Sequence, residues 1–110
     1  MTDTYKNLGQ VYPTVNTLTV AYTVPASTST VVSSICVCNQ SSQSTTWRMT
    51  HAIAGEADTV AQNLFAPLGT LLPYETRWIV GGPTMATTDV LRVYSANGQV
   101  SFNIYGLEVS

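Results

Sequence analysis

From Thr17 onward the chain alternates apolar and polar residues with a period of two, the signature of half-buried β-strands. Leu18, Val20, Tyr22 and Val24 alternate with Thr19, Ala21 and Thr23, and Pro25 ends the run. Thr30 to Cys38 predicts a second strand, with Val31, Ser33, Ile35 and Val37 on one face and Val32, Ser34, Cys36 and Cys38 on the other. Neither face is strongly polar, which places this strand in the middle of a sheet. Asn39 to Ser44 is a polar connection. Thr45 to Ile53 predicts a third strand, with Trp47, Met49, His51 and Ile53 on one face and Arg48, Thr50 and Ala52 on the other. Residues 54–58 read as a loop or brief helical turn, and a short strand is expected near 61–66. Tyr74 to Val80 predicts a strand with Tyr74, Thr76, Trp78 and Val80 on one side, closed by Gly81-Gly82-Pro83.

The last stretch carries the clearest local signal. Asp89–Ala96 and Gln99–Glu108 flank Asn97-Gly98, the dipeptide of a type I′ hairpin turn. The predicted register sets Val93 opposite Phe102, Leu91 opposite Ile104 and Ser95 opposite Val100. Arg92, Tyr94, Asn103 and Tyr105 then share the outer face. About seven short strands with turns between them indicate an all-β fold, a single antiparallel β-sandwich or small jelly-roll-like domain over 17–110. Residues 1–16 have few apolar anchors and read as an extended N-terminal arm, with a short edge strand as the alternative.

Composition narrows the function. Hydrophobic residues make up 45% of the 110 residues and charged residues only 9%, against a usual charged share of about 25%. Few charges need desolvating when such a surface packs against neighbours. The net charge is −2, and the basic residues Lys6, Arg48, Arg77 and Arg92 are scattered. Nucleic-acid binding needs a basic stripe, so no nucleic-acid partner is expected. No apolar run approaches the roughly 18 residues of a membrane span, so no membrane partner is expected either. The start of the chain lacks a basic region followed by an apolar one, so export by a signal peptide is not expected.

The chemistry-bearing residues do not form a motif. His51, the single histidine, lies on the Trp47/Met49 face and reads as a hydrogen-bonded core or interface residue. Glu56 and Asp58 are at most half of a calcium site and read as solvated loop charge. Glu75 and Arg77 suggest a cross-strand ion pair. Cys36 and Cys38 share a strand face about 6.6 Å apart, with parallel side chains poorly aimed for a disulfide, and read as free thiols. Two thiolates alone do not make a tetrahedral metal site. No catalytic, cofactor-binding or metal residues are assigned, and the chain is not expected to be an enzyme. Trp47, Trp78, Tyr74 and Tyr94 are the aromatic residues that a glycan-binding reading would use.

Several segments are similar to one family. They are Thr4-Tyr5-Lys6-Asn7-Leu8-Gly9-Gln10, the run from Tyr22-Thr23-Val24-Pro25-Ala26 to Ile35, Val37-Cys38-Asn39, Val93-Tyr94-Ser95, and Val100-Ser101-Phe102-Asn103-Ile104-Tyr105-Gly106-Leu107-Glu108. Together they resemble small β-sandwich structural proteins of tailed bacteriophage virions, common among phages of cyanobacteria. The resemblance implies a virion protein assembled in the host cytoplasm, partnered by the major capsid protein or other virion proteins. It leaves the address within the virion open; a capsid cement or decoration role is the leading reading, with a homotrimer at three-fold junctions of the shell expected from the resemblance. Tail, baseplate or fibre-attachment subunits, and a glycan-binding module contacting the host surface, are the alternatives. Tyr5, Tyr12, Arg92, Tyr94, Asn103 and Tyr105 are the candidate interface residues, and deletion of residues 2–12 is expected to spare the domain.

Overall fold

The computed structural model describes residues 2–64 and 69–110. Among the described residues nine strands form: β1 (Asp3–Val11), β2 (Thr19–Thr23), β3 (Ser29–Asn39), β4 (Thr45–Ala52), β5 (Gly69–Leu71), β6 (Thr76–Val80), β7 (Thr84–Met85), β8 (Val90–Ser95) and β9 (Val100–Val109). They pair antiparallel in two sheets. Sheet A has the order β1-β9-β3-β6, with β7 also paired to β3, and sheet B has the order β2-β8-β4-β5. The chain changes sheet between β1 and β2, β2 and β3, β3 and β4, β5 and β6, β7 and β8, and β8 and β9. This is the strand order of a jelly roll, within the all-β sandwich class that the alternation implies.

The core lies between the sheets. Trp47, Met49, Leu71, Leu91 and Val93 of sheet B meet Val32, Ile35, Val37, Val100, Phe102 and Ile104 of sheet A, all essentially inaccessible to solvent. Trp47 meets Phe102 edge-on at 5.8 Å. β3 lies between β9 and β6, the central position its two apolar faces imply.

The expected hairpin does not form. β8 and β9 belong to different sheets, and the connection between them is an arch that crosses the sandwich. Leu91 and Val93 therefore face Phe102 and Ile104 through the core instead of pairing beside them. Both geometries bury the same alternate residues, so the alternation could not tell them apart. The turn itself rejects type I′: Gly98 has φ 70°, whereas Asn97 is absent from the left-handed region that such a turn also requires. Side-chain bonds hold the arch instead. Asn97 Oδ1 accepts from Ser95 Oγ (3.0 Å) and the Gln99 N–H (2.9 Å), and Asn97 Nδ2 donates to Ser41 Oγ (2.9 Å).

Bulges correct two predicted faces. In β2 the register slips between Val20 and Tyr22, so Tyr22 is buried while Val20 turns to solvent. In β3 it slips between Val32 and Ser34, leaving Thr30 and Val32 inward on one side of the slip and Ile35 and Val37 inward on the other. Val31 and Ser33 consequently face outward. β4 ends at Ala52, and Ile53 starts a short 3-10 turn with its side chain in solvent. Residues 60–62 also form a 3-10 turn where a strand was expected, and 65–66 lie outside the described residues. β5 was not anticipated.

Residues 3–11, read as an arm with an edge strand as the alternative, are the edge strand of sheet A, hydrogen-bonded along β9. Leu8 reaches the core. A Cβ on Gly9 would stand 2.3 Å from the carbonyl oxygen of Ala21, so glycine lets β1 approach β2 closely at this corner.

Candidate interaction face

The two sheets present very different outer faces. That of sheet B is covered by its own chain. Arg92 donates to the carbonyl oxygens of Gly55 (3.2 Å) and Glu56 (3.0 Å). Arg48 donates to Asp58 (2.9 and 3.1 Å) and to Asn63. The Leu64 N–H reaches the Met49 carbonyl, Thr50 is buried beneath this flap of residues 53–64, and Gln62 is the buried residue of its second 3-10 turn. Tyr94 donates to Asn16 Oδ1 at 2.6 Å. Arg92 and Tyr94, two of the six candidate interface residues, are thus occupied within the chain. They lie on the opposite side of the sandwich from Asn103 and Tyr105, because the predicted hairpin is an arch.

The outer face of sheet A is open. Its rows follow from the strand register: Tyr5, Leu107, Val31 and Thr84; then Asn7, Tyr105, Ser34 and Val80; then Gln10, Asn103, Cys36 and Trp78; then Ser101, Cys38 and Thr76. None of these side chains carries a charge, and Asp3 stands in the next row beyond Tyr5, with Val109 and Ser29. Trp78 is 59% exposed and stacks on Tyr105 across β3, ring centroids 5.8 Å apart at 28°. Tyr5 and Val80 are 80% and 91% exposed, and Val31 and Leu107 continue the apolar surface between β1 and β7. Tyr12 follows β1 at the far end, half exposed. The face thus has an apolar half, around Tyr5, Val31, Tyr105, Leu107 and Val80, and an amide-rich half, around Gln10 and Asn103. Four of the six candidates, Tyr5, Tyr12, Asn103 and Tyr105, belong to it. Val31, Val80 and Leu107 were missed as site residues, and Trp78 was named only for a glycan-binding reading, since only strand pairing brings β3, β6 and β9 side by side.

Other chemistry-bearing groups have structural partners. His51 Nε2 lies 2.8 Å from Asp89 Oδ2. Burial would raise the Asp89 carboxyl, but the N–H groups of Ala54 and Ala86 together with His51 outweigh it and hold it below its ordinary value. Glu75, just ahead of β6, pairs with Arg77 of β6 at 2.9 Å, a local pair rather than a cross-strand one. Cys36 and Cys38 are free thiols, half buried on the outer face of sheet A. Burial and the neighbouring Cys38 push the Cys36 thiol up. Where the two sheets meet, Tyr22 of β2 donates to Glu108 of β9 at 2.5 Å and contacts Thr30 of β3 at 2.8 Å, while Lys6 pairs with Glu108 at 3.1 Å. Burial, then Glu108, pushes the Tyr22 phenol up to about 12. Among the described residues no group of three or more His, Cys, Asp and Glu is placed to hold a metal, and no helix is long and apolar enough to cross a membrane.

Comparison of the chain with protein-family models, with curated proteins and with solved structures finds no match.

Proposed function

We propose that this chain is a structural subunit of a tailed-bacteriophage virion, a cement or decoration protein that stabilises the shell by bridging major capsid subunits. The observation that carries the reading is the open outer face of sheet A, uncharged but for Asp3 in its terminal row, set against the covered face of sheet B. A face bearing Tyr5, Tyr105, Val31, Leu107 and Val80, with the single carboxylate of Asp3 at its margin, can be buried against another subunit with little charge desolvation. Aromatic anchors of this kind supply much of the energy of protein interfaces. The phage-like segments support the same reading in part: those in β1, β3 and β9 carry this face, whereas Tyr22-Thr23 and Val93-Tyr94-Ser95 belong to β2 and β8 of sheet B. A jelly roll is a frequent capsid architecture, an analogy of fold rather than of function. Three copies at a three-fold junction of the shell would each turn the apolar half of sheet A toward the capsid. The subunit would join the particle in the host cytoplasm and remain in the virion.

The test is mass spectrometry of purified particles after heads and tails are separated. High copy number with heads is expected. Recovery with tails alone would replace the cement role by a baseplate or fibre-attachment role. In a reconstituted shell, Val31→Glu should keep the domain folded, since a surface substitution changes stability by about 0.5 kcal/mol or less, and should lower capsid occupancy. Full occupancy by this variant would remove sheet A from the interface.

A further inference from the structure

The amide-rich half of sheet A holds a cleft of about 700 Å³, lined by Gln10, Val11, Tyr12, Gln40, Ser101 and Asn103. We infer that this cleft is a binding site for a neutral oligosaccharide. The lining residues carry no charge but are rich in groups that both donate and accept hydrogen bonds, the chemistry that matches vicinal sugar hydroxyls. The amides are ordered by one another: Gln10 Nε2 donates to Asn103 Oδ1 at 2.9 Å, and Asn7 Nδ2 approaches the same oxygen at 3.4 Å. This fixes the Asn103 amide with its Nδ2 donors unspent among the described residues. Gln10 Oε1, the Gln40 amide, Ser101 Oγ and the Tyr12 hydroxyl likewise make no side-chain bond to another described residue. The Gln40 backbone is anchored by its N–H to the Gln99 carbonyl at 2.8 Å, so its side chain projects from a fixed point at the arch. Tyr12, 54% exposed, supplies a ring against which the C–H face of a sugar can lie.

The register extends the site beyond the cleft. Gln10, Asn103, Cys36 and Trp78 stand in one row across four strands, which at strand spacing spans about 14 Å. The Trp78–Tyr105 stack therefore forms a second aromatic platform in line with the cleft. A ligand long enough to touch both is a short oligosaccharide rather than a single sugar. Of the four aromatic residues that the sequence offers for glycan binding, Trp47 is buried in the core and Tyr94 is held by Asn16. Tyr74 stands in the turn before β6, whereas Trp78 lies in line with the cleft. The site lies on the same outer face as the apolar patch around Tyr5 and Val31, but in its other half, and it rests on the cleft itself rather than on the capsid reading.

The experiment is a screen of the full chain on an array of neutral glycans, followed by NMR titration with the best neutral hexasaccharide. Amide shifts should cluster on residues 10–12, 40, 101 and 103. Gln10→Ala and Tyr12→Ala, both at exposed positions, should keep their thermal unfolding profiles and weaken binding about tenfold or more, as for one lost hydrogen bond or aromatic contact. Trp78→Ala should weaken the hexasaccharide more than the disaccharide of the same sugar, and Tyr74→Ala should leave binding unchanged. Absence of binding across the array, binding only to anionic glycans, or binding that survives both Gln10→Ala and Tyr12→Ala would overturn the assignment. Loss of capsid occupancy in these variants without any glycan binding would mark the cleft as a protein contact, overturning the assignment while leaving the proposed function intact.

Discussion

The Asp89 carboxylate receives bonds from three segments that meet at one end of the sandwich: His51 of β4, Ala54 of the following 3-10 turn, and Ala86 ahead of β8. Asp89→Ala would leave two backbone donors and the His51 ring without their acceptor, and should cost about 3 kcal/mol, read from urea unfolding followed by tryptophan fluorescence. The sign of its pH dependence follows from its depressed pKa. The folded state binds the proton less readily than the unfolded chain, so the stabilisation is complete above the unfolded value near 3.8 and is lost as pH falls through the lower folded value. Wild type should therefore lose more stability on acidification than Asp89→Ala does. Tyr22 works at the other end of the scale. Its phenol is raised from 10.0 to about 12, so its stabilising protonated form is present below pH 10 and is lost as pH rises through 12. Alkaline absorbance titration should show one phenol ionising late, and Tyr22→Phe should remove that step and lower stability by about 1 kcal/mol. The sequence marked His51 as a hydrogen-bonded residue but did not supply its partner, which lies 38 positions away.

Strands were legible because alternation is a local signal; partners and faces were less so. A single inserted residue, Ala21 in β2 or Ser33 in β3, reverses which side of the strand is buried, and nothing in a run such as Val31-Val32-Ser33-Ser34 announces the slip. The Asn97-Gly98 dipeptide pointed to a hairpin, yet both strands have other neighbours on each side, and four side-chain bonds around Asn97 and Ser95 favour the arch. β1 has the largest consequence at this scale. It was expected to be dispensable for the domain, but it closes sheet A and contributes Leu8. Deleting residues 2–12 would bare the β9 edge and part of the core, and should broaden or abolish cooperative unfolding in circular dichroism. On sheet B, Arg92→Ala should release the flap, with hydrogen exchange accelerating over residues 53–64 and unchanged in β3 and β9.

At the scale of the whole molecule, the sandwich has one face occupied by its own chain and one left open. Sparse charge and abundant Ser, Thr and Tyr implied a surface suited to contacts. Its location required the sheet order. Arg92, Tyr94, Asn103 and Tyr105 looked like one patch while β8 and β9 were read as neighbours, and they become two opposite surfaces once the arch separates them. Tyr5 and Tyr12, far from the others in sequence, join Asn103 and Tyr105 because β1 pairs with β9. Nearly every strand pairing links distant parts of the chain, and such topologies fold in milliseconds to seconds rather than microseconds.

The order of sheet A also governs how the protein can be made. β9, residues 100–109, lies between β1 and β3, and without it these strands have no common partner. A nascent chain emerging from the ribosome cannot complete sheet A until residue 109 has cleared the exit tunnel. At about 5–20 residues per second the earlier strands wait several seconds with their edges open. Nascent chains that lack β9 should therefore expose open strand edges, and a chain cut short before β9 is expected to be protease-sensitive rather than a smaller folded domain.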